Sequence, residues 1–508
     1  MTTPPRKFSK YSATKKTVAL LAVFALFFAG TYFLRQKDAP AFSTLQDYKS
    51  QELSWSTCYD TFDCSTLSVP IDYSDLSIGS FDIGILRHSA TDQANRIGSL
   101  VVNPGGPGAS GMEYAYNAEY IVSSGILAKY DIVGFDPRGV GDSTPIHCLT
   151  DKETDANYAA DSKPDSPAEF DAQIKQAQQY IAECEAKTPN LTHYGTVNAA
   201  RDMDLLRIAL GDSTLNFLGK SYGTYLGTLY AQLFPDKVGR MILDGAIDPN
   251  ITAVQQSIAQ AVGFDRALNA FITDCYKRKN CSLQKPAKAA VKQFIQLFTT
   301  AAKKPLTGTP ERPVTESLVV LGTASALYDN TSGWPQLRSA LKESLKGNGS
   351  TFLDLADQYS LRNPDGTYGS NETDAAFVID CLDWPETRTA AEMFSDAKTF
   401  AKAAPVFGPY LAYGALSCKY IPGIENATPR KITSITTSPI IIIGTTRDPA
   451  TPYEWAQALH SEIKNSRLIS LNADGHTGHG RGSKCVDSAV DKYLLTGKLP
   501  GADLACAL

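Results

Sequence analysis

Ser221 lies in a pattern typical of a nucleophilic serine. The segment Gly219-Lys220-Ser221-Tyr222-Gly223 is a Gly-x-Ser-x-Gly motif between an apolar run typical of a strand and another typical of a helix. Glycines let the two elements approach closely at a strained turn, and the serine hydroxyl then projects from the sheet edge. The N-terminus of the following helix also favours negative charge near the serine. A structural glycine-rich turn is the alternative, but the context predicts that Ser221 is a nucleophile.

A serine hydroxyl needs a general base at neutral pH, and the chain offers an acid and a histidine in the required order. Asp448 ends the apolar run IIIIGTTRD, and His476 follows the next strand-like run within ADGHTGHGRG. Both would stand at the carboxyl edge of a parallel sheet, where such sites form. We therefore expect His476 to accept the serine proton and Asp448 to hold its ring, with His479 as the rival base. The remaining histidines are expected to be structural: His88, His147, His193 and His460.

The negative charge of an acyl-transfer intermediate needs preorganised N–H donors. The N–H of Tyr222 comes from the turn itself. The second donor is expected from the Gly/Pro-rich loop at 103–108, which follows an apolar strand-like run. Since Pro107 has no N–H, Gly106 is the better candidate. An ordinary turn is the alternative reading of this loop.

Short apolar runs alternate with helical patterns around these motifs, which predicts an α/β fold with a mostly parallel, doubly wound sheet. Two runs near the start resemble an opening antiparallel pair instead. The strand-like runs are 66–73, 81–90, 99–108, 130–143, 238–246, 439–448 and 466–476, and residues 215–234 have the pattern of a strand, a sharp turn and a helix.

The region between the two groups of strand-like runs has a different pattern. Residues 250–432 hold long amphipathic stretches and no comparable series of buried strands. We predict that this region is a helical cap inserted into the sheet domain. The first part of the core would then cover residues 56–249 and the second part residues 433–508.

The N-terminus is basic, whereas the whole chain has a net charge of -5, which argues against a nucleic-acid-binding protein. A basic stub at 1–16 precedes an uncharged apolar run at 17–34, and a polar linker is predicted at 35–55. The run is long enough to span a membrane and would send the rest of the chain across it. A cleaved signal peptide or a retained signal anchor both fit; the length of the run and the basic residues directly behind it favour the anchor. The protein is expected outside the cytoplasm, membrane-anchored at the cell surface or secreted.

The chain has ten cysteines, and an even number in an exported protein suggests disulfides. Close Cys-x-x-Cys pairs are absent from the sequence, and so are phosphate-loop and cofactor fingerprints. We therefore predict no metal and no cofactor. Other connectivities remain open, but pairing neighbours predicts the bonds Cys58–Cys64, Cys148–Cys184, Cys275–Cys281, Cys381–Cys418 and Cys485–Cys506.

Five motifs together resemble the tripeptidyl-aminopeptidase branch of the proline-iminopeptidase-like α/β-hydrolases. They are NPGGPGASG, FDPRGVGDS, RDMDLLRIALGDSTLNFLGKSYGTYLG, RDPATP and DGHTGHGRGSKCVD. The resemblance covers most of residues 55–506 and implies an α/β-hydrolase fold with a helical cap, a Ser221–Asp448–His476 triad and a family-type C-terminal region. It also implies an exported enzyme that releases short peptides, tripeptides in particular, from N-termini. Pro104 stands where iminopeptidases usually carry histidine, which favours the tripeptidyl group over strict iminopeptidases.

The triad does not select the substrate, because an esterase or lipase would use the same three residues. A catalytically inactive surface-binding module is the third reading, and the complete triad speaks against it. An exopeptidase must bind a free α-ammonium group, for which carboxylates on the cap are the natural partners. A solvated surface run is the alternative reading of the acidic segment that supplies the candidates Glu372, Asp374, Asp380, Asp383 and Glu386.

Overall fold

The computed structural model describes residues 42–424 and 437–508, together with Ile432 and Ile435. The predicted stub and apolar segment at 1–34 lie outside the described residues, as do most of the residues that join the predicted cap to the second part of the core. Within the described part of the chain, no helix has both the length and the apolar character needed to cross a membrane.

A ten-stranded, mostly parallel sheet forms the centre of the molecule, with the strand order β1-β2-β3-β5-β4-β6-β7-β10-β11-β12. The pairs β1–β2, β2–β3 and β3–β5 are antiparallel, and the other neighbours are parallel. The strands are β1 (Ser56–Cys58), β2 (Phe62–Pro70), β3 (Ser80–His88), β4 (Gly98–Asn103), β5 (Tyr130–Phe135), β6 (Leu215–Lys220), β7 (Val238–Asp244), β8 (Leu306–Thr309), β9 (Arg312–Val314), β10 (Ile440–Arg447), β11 (Ser466–Asp474) and β12 (Leu504–Ala507). The fold predicted from the sequence, an α/β-hydrolase fold, is confirmed.

Helices cover both faces of this sheet, because its central strands are apolar on both sides. Every residue of β4 and β5 is buried. The described helices before the cap are α1 (Leu45–Lys49), α2 (Gly111–Tyr116), α3 (Ala118–Ile121), α4 (Ser124–Lys129), α5 (Asp151–Ala159), α6 (Pro167–Lys187), α7 (Thr196–Ala209) and α8 (Tyr222–Leu233). Helices α7 and α8 pack on one face, and α2 to α4 pack on the other.

The segment between β7 and β10 is mainly helical and has a hydrophobic core of its own. It also contains the small β8–β9 hairpin. Its helices are α9 (Ala253–Cys275), α10 (Ala287–Lys303), α11 (Glu316–Leu327), α12 (Gly333–Ser344), α13 (Ser350–Ser360), α14 (Glu372–Asp383), α15 (Ala390–Ala403) and α16 (Gly408–Leu411). After β10 and β11, α17 (Tyr453–Glu462) and α18 (Lys484–Thr496) return to the two faces of the sheet.

A second helical segment, α5 and α6, also packs against the cap. Phe170 on α6 contacts the rings of Phe394 and Tyr413, and the Ser317 hydroxyl of α11 donates to the Ala160 carbonyl behind α5. No sequence pattern assigns this segment to the cap. The apolar residues of α5 and α6 do not indicate which layer they cover, since their partners in the cap lie about two hundred residues further along the chain.

Five disulfides join the same neighbouring cysteines that the sequence pairs, and no cysteine is free. Two of these bonds lie in or beside the cap. Cys148–Cys184 joins the entry of α5 to the end of α6, and Cys381–Cys418 joins α14 to the end of the cap.

Arg138 is a fully buried cation that holds the loop after β5 against α7. Its guanidinium donates to both carboxylate oxygens of Asp202, at 2.7 and 2.6 Å. It also donates to the backbone carbonyls of Pro70, Ile71 and His193. Such pairing is needed because an unpaired buried charge is strongly destabilising.

Candidate active site

Ser221 occupies the sharp turn between β6 and α8. Its backbone has φ 54° and ψ -126°, a conformation that only a strained turn imposes on a residue with a side chain. The flanking glycines are required, because a Cβ at Gly219 would lie 2.4 Å from the Gly223 carbonyl oxygen. The Ser221 N–H donates to the Asp244 carbonyl over 2.8 Å. The strand, turn and helix read from the sequence therefore place the hydroxyl at the carboxyl edge of the sheet.

Asp448 and His476 meet at the same edge, after β10 and β11. Both oxygens of the Asp448 carboxylate lie 2.9 Å from Nδ1 of His476. The carboxylate is fully buried and also accepts the backbone N–H groups of Ala450, Thr451 and Thr477. These bonds satisfy the ionised carboxylate, which fixes the proton of the imidazole on Nδ1 and leaves Nε2 as the acceptor.

Ser221 and His476 lie on either side of residues 244–245. The N–H of Ser221 is bound to Asp244, and a Cβ at Gly245 would lie 3.5 Å from Cε1 of His476. A side chain at Gly245 would therefore push against the imidazole, so this position favours glycine, which also adopts φ 70° there.

Tyr328, at the end of α11, supplies a contact from the cap that the sequence did not indicate. Its carbonyl accepts the His476 N–H over 2.8 Å, and its ring stands edge-on to the imidazole at 5.4 Å. Thr451 adds a hydroxyl 3.4 Å from Nδ1. The cap thus forms one wall around the imidazole.

His479 is not suited to act as the base. Only 3% of the residue is exposed, and Nδ1 has no hydrogen-bond partner among the described residues. Burial, together with the charge of Lys220, lowers the pKa of His479 to about 3. The ring is therefore neutral and packed away from solvent, whereas His476 has the carboxylate partner.

The Gly/Pro-rich loop after β4 packs directly against the turn at Ser221. A Cβ at Gly105 would lie 2.5 Å from the Lys220 carbonyl oxygen and 2.9 Å from the Tyr222 nitrogen. Gly105 and Gly106 have φ values of 97° and 105°, which favour glycine. Gly106 and Tyr222, the two expected oxyanion donors, both line the cavity that contains Ser221.

That cavity has a volume of about 450 Å³ and lies between the core and the cap. Its walls come from the turn at Ser221, the loop at Gly106 and helices α5, α9, α11 and α14. They combine apolar and hydroxyl side chains with a single carboxylate, and include Tyr158, Gln260, Phe264, Val320, Leu321, Tyr328, Tyr359, Asp380 and Phe407. Among the described residues, no cluster of His, Cys, Asp and Glu is arranged to hold a metal ion.

Of the five acidic candidates, Asp380 lines this cavity and Glu372 lies beside the loop at Gly106. Glu372, Ala376 and Asp380 follow one another at four-residue intervals on α14, which places them on one face of the helix. Ala376 and Asp380 line the cavity, and Oε1 of Glu372 would lie 3.5 Å from a Cβ at Gly106. Neither carboxylate accepts a hydrogen bond from a described residue.

Burial raises the pKa of both carboxyls. The pKa of Glu372 rises to about 7, with a further contribution from the charge of Glu113. The pKa of Asp380 rises well above its ordinary value, and the charge of Asp383 adds to the effect of burial. Perturbed carboxyls in a cavity are typical of functional sites, since an unpaired buried charge is costly unless a ligand compensates it.

The other three candidates, Asp374, Asp383 and Glu386, are already bound by other groups of the protein. They are therefore not available to bind a substrate amine, which corrects the prediction for these three residues. Asp374 accepts from the backbone of Cys148 and from the Tyr180 hydroxyl, at 2.7 and 2.9 Å. Asp383 accepts from the N–H and the hydroxyl of Thr196. Glu386 is fully buried in an ion pair with Arg388, 2.7 Å away. These carboxylates position α14 and the chain behind it instead of facing the cavity.

Comparisons with known proteins find one matching family and several relatives that align over most of the chain. The family described as TAP-like protein matches residues 404–506. The chain is 34% identical over 461 residues to serine protease Hip1 of Mycobacterium tuberculosis (strain ATCC 25618 / H37Rv). The alignment covers 87% of each chain. It is 36% identical over 476 residues to carboxylesterase B of the same strain, covering 89% of this chain and 90% of the relative. It is 33% identical over 462 residues to tripeptidyl aminopeptidase of Streptomyces lividans, covering 87% and 83%.

The raised pKa of Glu372 predicts a pH-dependent stability effect. The folded carboxyl has a pKa of about 7 against an ordinary value of 4.5, so the protein loses stability as the pH rises through this window. Glu372→Gln removes that loss. The melting temperature of the variant minus that of the wild type should therefore be larger at pH 8 than at pH 4. Thermal melts across this range measure the difference, with Glu185→Gln as control because Glu185 is exposed on α6. A pH-independent difference would contradict the assignment.

Proposed function

This chain belongs to the tripeptidyl-aminopeptidase-like family of α/β-hydrolases and is a serine peptidase, and we propose that it removes short peptides from free N-termini outside the cytoplasm. The observation that carries the proposal is the pair of carboxylates without hydrogen-bond donors, Glu372 and Asp380, on the helix face that borders the Ser221 cavity. A protease that cuts within a chain has no use for them, whereas an exopeptidase must bind an α-ammonium group.

The reaction follows from the positions of Ser221, His476 and Asp448. Nε2 of His476 takes the hydroxyl proton as the Ser221 oxygen attacks the carbonyl, and Asp448 stabilises the imidazolium through Nδ1. The N–H groups of Tyr222 and Gly106 bind the oxyanion, and each such donor contributes about 10²–10³ in kcat. The imidazolium then protonates the leaving amine, which leaves an acyl-enzyme. His476 next activates water, and hydrolysis releases the peptide and restores Ser221.

Asp380 is the primary anchor in this proposal, since it lines the same cavity as Ser221. A substrate ammonium entering the cavity would stabilise the ionised form of Asp380 and form charge-assisted hydrogen bonds with it. Glu372, two helical turns away on the same face, adds a second negative charge near the loop at Gly106. The two carboxylates therefore favour a substrate whose N-terminus, and not an internal segment, lies under the cap.

The length of the released peptide is proposed from the size of the cavity and from the relatives. A volume of about 450 Å³ suits a ligand of a few residues rather than a longer chain. The relative from Streptomyces lividans is named a tripeptidyl aminopeptidase. Together these support the release of tripeptides.

A carboxylesterase is the second candidate, because a relative of similar identity carries that name. The apolar part of the cavity wall, which includes Phe264, Val320 and Leu321, would suit an ester with an apolar acyl group. Such an enzyme would gain nothing from Asp380, so the response to a blocked amine distinguishes the two functions.

Blocking the substrate amine is expected to abolish most of the peptidase activity. Acetylation removes the charge that Asp380 binds, so kcat/KM for an N-acetyl tripeptide anilide should fall at least about tenfold below that of the free tripeptide anilide. The Ser221→Ala variant, which should neither turn over substrate nor react with a fluorophosphonate, is the control. Equal rates on free and acetylated peptides, with faster cleavage of p-nitrophenyl esters, would establish the esterase instead.

Asp380→Asn is expected to weaken binding of free-amine peptides without harming ester cleavage. Losing a hydrogen bond to a charged group costs about 1.5–3 kcal/mol, so KM for a free tripeptide anilide should rise about 10- to 100-fold. Glu113→Gln is the matched control, because Glu113 lies close enough to act on Glu372 but does not line the cavity. An unchanged KM in Asp380→Asn would rule out this residue as the anchor.

The extracytoplasmic location is supported by the five disulfides and the basic, apolar N-terminus. In this proposal residues 17–34 remain as a membrane anchor. Mass spectrometry of the enzyme purified from its native membranes should find residues 17–34 intact and all ten cysteines resistant to alkylation before reduction. A mature N-terminus beyond residue 34 would indicate a secreted form, and free thiols would argue against export.

A further inference from the structure

The loop that carries His476 is held by two buried carboxylates. Three consecutive backbone N–H groups after His476 donate to them: Thr477 to Asp448 over 2.9 Å, then Gly478 and His479 to the two oxygens of Asp244 over 2.8 and 3.0 Å. Thr477 has φ 63°, which is unfavourable for a β-branched residue. The loop thus keeps a strained conformation because both carboxylates bind it.

Asp244, the last residue of β7, also holds the turn at Ser221. Its carbonyl accepts the Ser221 N–H over 2.8 Å. The side chain of Lys220 runs to the same place, where Nζ donates to the His479 carbonyl over 2.8 Å and lies 3.7 Å from an Asp244 carboxylate oxygen. Asp244 therefore binds the backbone of Ser221 and the backbone of the loop after His476. Lys220 supplies the counter-charge and binds the same loop.

The charges of Lys220 and Asp244 depend on each other. Asp244 has no exposed surface, and 17% of the Lys220 side chain is exposed. Burial alone would lower the pKa of Lys220, but the Tyr114 phenol and the Asp244 carboxylate raise it above the ordinary value. Lys220 is therefore an ammonium at neutral pH, which balances the carboxylate that binds the loop.

We propose that Asp244 and Lys220 are positioning residues that set the distance between Ser221 and His476. This rests on the proposed roles of Ser221 and His476, but not on the nature of the substrate. Asp244 bonds to the main chain next to the base with its carboxylate and to the nucleophile residue with its carbonyl. Burial raises the pKa of the Asp244 carboxyl, and the charge of Lys220 opposes that rise while its ammonium group binds the far end of the loop. Neither side chain lines the cavity.

Asp244→Asn tests this role, because an amide NH₂ cannot accept from a backbone N–H. The variant keeps the side-chain size but leaves one loop N–H unpaired and the Lys220 charge unbalanced. A displacement of about 1 Å between reacting groups costs about 100-fold, so kcat should fall by about that factor. KM should stay within about twofold of the wild-type value, because the residues that contact substrate are unchanged. The rate of Ser221 labelling by a fluorophosphonate should fall with kcat.

Lys220→Met and the double variant Asp244→Asn/Lys220→Met provide an independent measurement if Asp244→Asn folds poorly. The double variant should lose no more activity than the worse single variant, since both substitutions disrupt the same contact between Lys220 and Asp244. Asp202→Asn is the matched control: it disturbs another buried ion pair, that with Arg138, at a distance from the loop. It should lower the melting temperature while kcat per folded molecule stays within about twofold.

The outcomes separate this inference from the proposed function. Wild-type kcat and labelling in folded Asp244→Asn and Lys220→Met, with an inactive Ser221→Ala, would overturn the positioning role and leave the proposed function intact. Full fluorophosphonate labelling of Ser221→Ala would overturn the role of Ser221 and the positioning role with it. A slow-labelling Asp244→Asn would support the positioning role even if peptides proved not to be the substrate.

Discussion

Two buried carboxylates organise the active edge of the sheet: Asp244 is the last residue of β7, and Asp448 directly follows the neighbouring strand β10. A buried charge is costly unless hydrogen bonds and a counter-charge satisfy it. The surrounding main chain therefore turns its N–H groups inward: Ala450, Thr451 and Thr477 bind Asp448, and Gly478 and His479 bind Asp244. Because any movement of these loops would leave a carboxylate unsatisfied, they hold the backbone at His476 in place.

The cap completes this edge. The carbonyl of Tyr328 binds the His476 backbone, and α14 covers the loop at Gly106 and the turn at Ser221. Asp374 and Asp383 hold α14 in place through hydrogen bonds from Cys148 and Thr196, while Glu372 and Asp380 have no donor among the described residues. The hydrogen bonds of Asp374 and Asp383 stabilise α14, so Glu372 and Asp380 can remain without hydrogen-bond donors. An ammonium-binding site needs carboxylates in that state.

Much of the site could be predicted from the sequence because its chemistry depends on local backbone geometry. A serine between two glycines at a strand–helix junction can take the strained conformation, and an acid and a histidine at later strand ends reach the same edge. The pairing of neighbouring cysteines also followed from the sequence. The packing of α5 and α6 under the cap did not, because an apolar helix face shows that it is buried but not what covers it.

The sequence alone determined which serine, acid and histidine come together, and that the core is a mostly parallel sheet interrupted by helices. The tertiary structure supplied the physical reason for His476 over His479, because the two lie in one glycine-rich loop and differ in burial and in access to Asp448. Only the tertiary structure selected Glu372 and Asp380 from five neighbouring acids. All five belong to one acidic segment. Glu386 pairs with Arg388 nearby in the chain, but the partners of Asp374 and Asp383 are Cys148, Tyr180 and Thr196, which lie too far away in sequence for a local pattern to indicate.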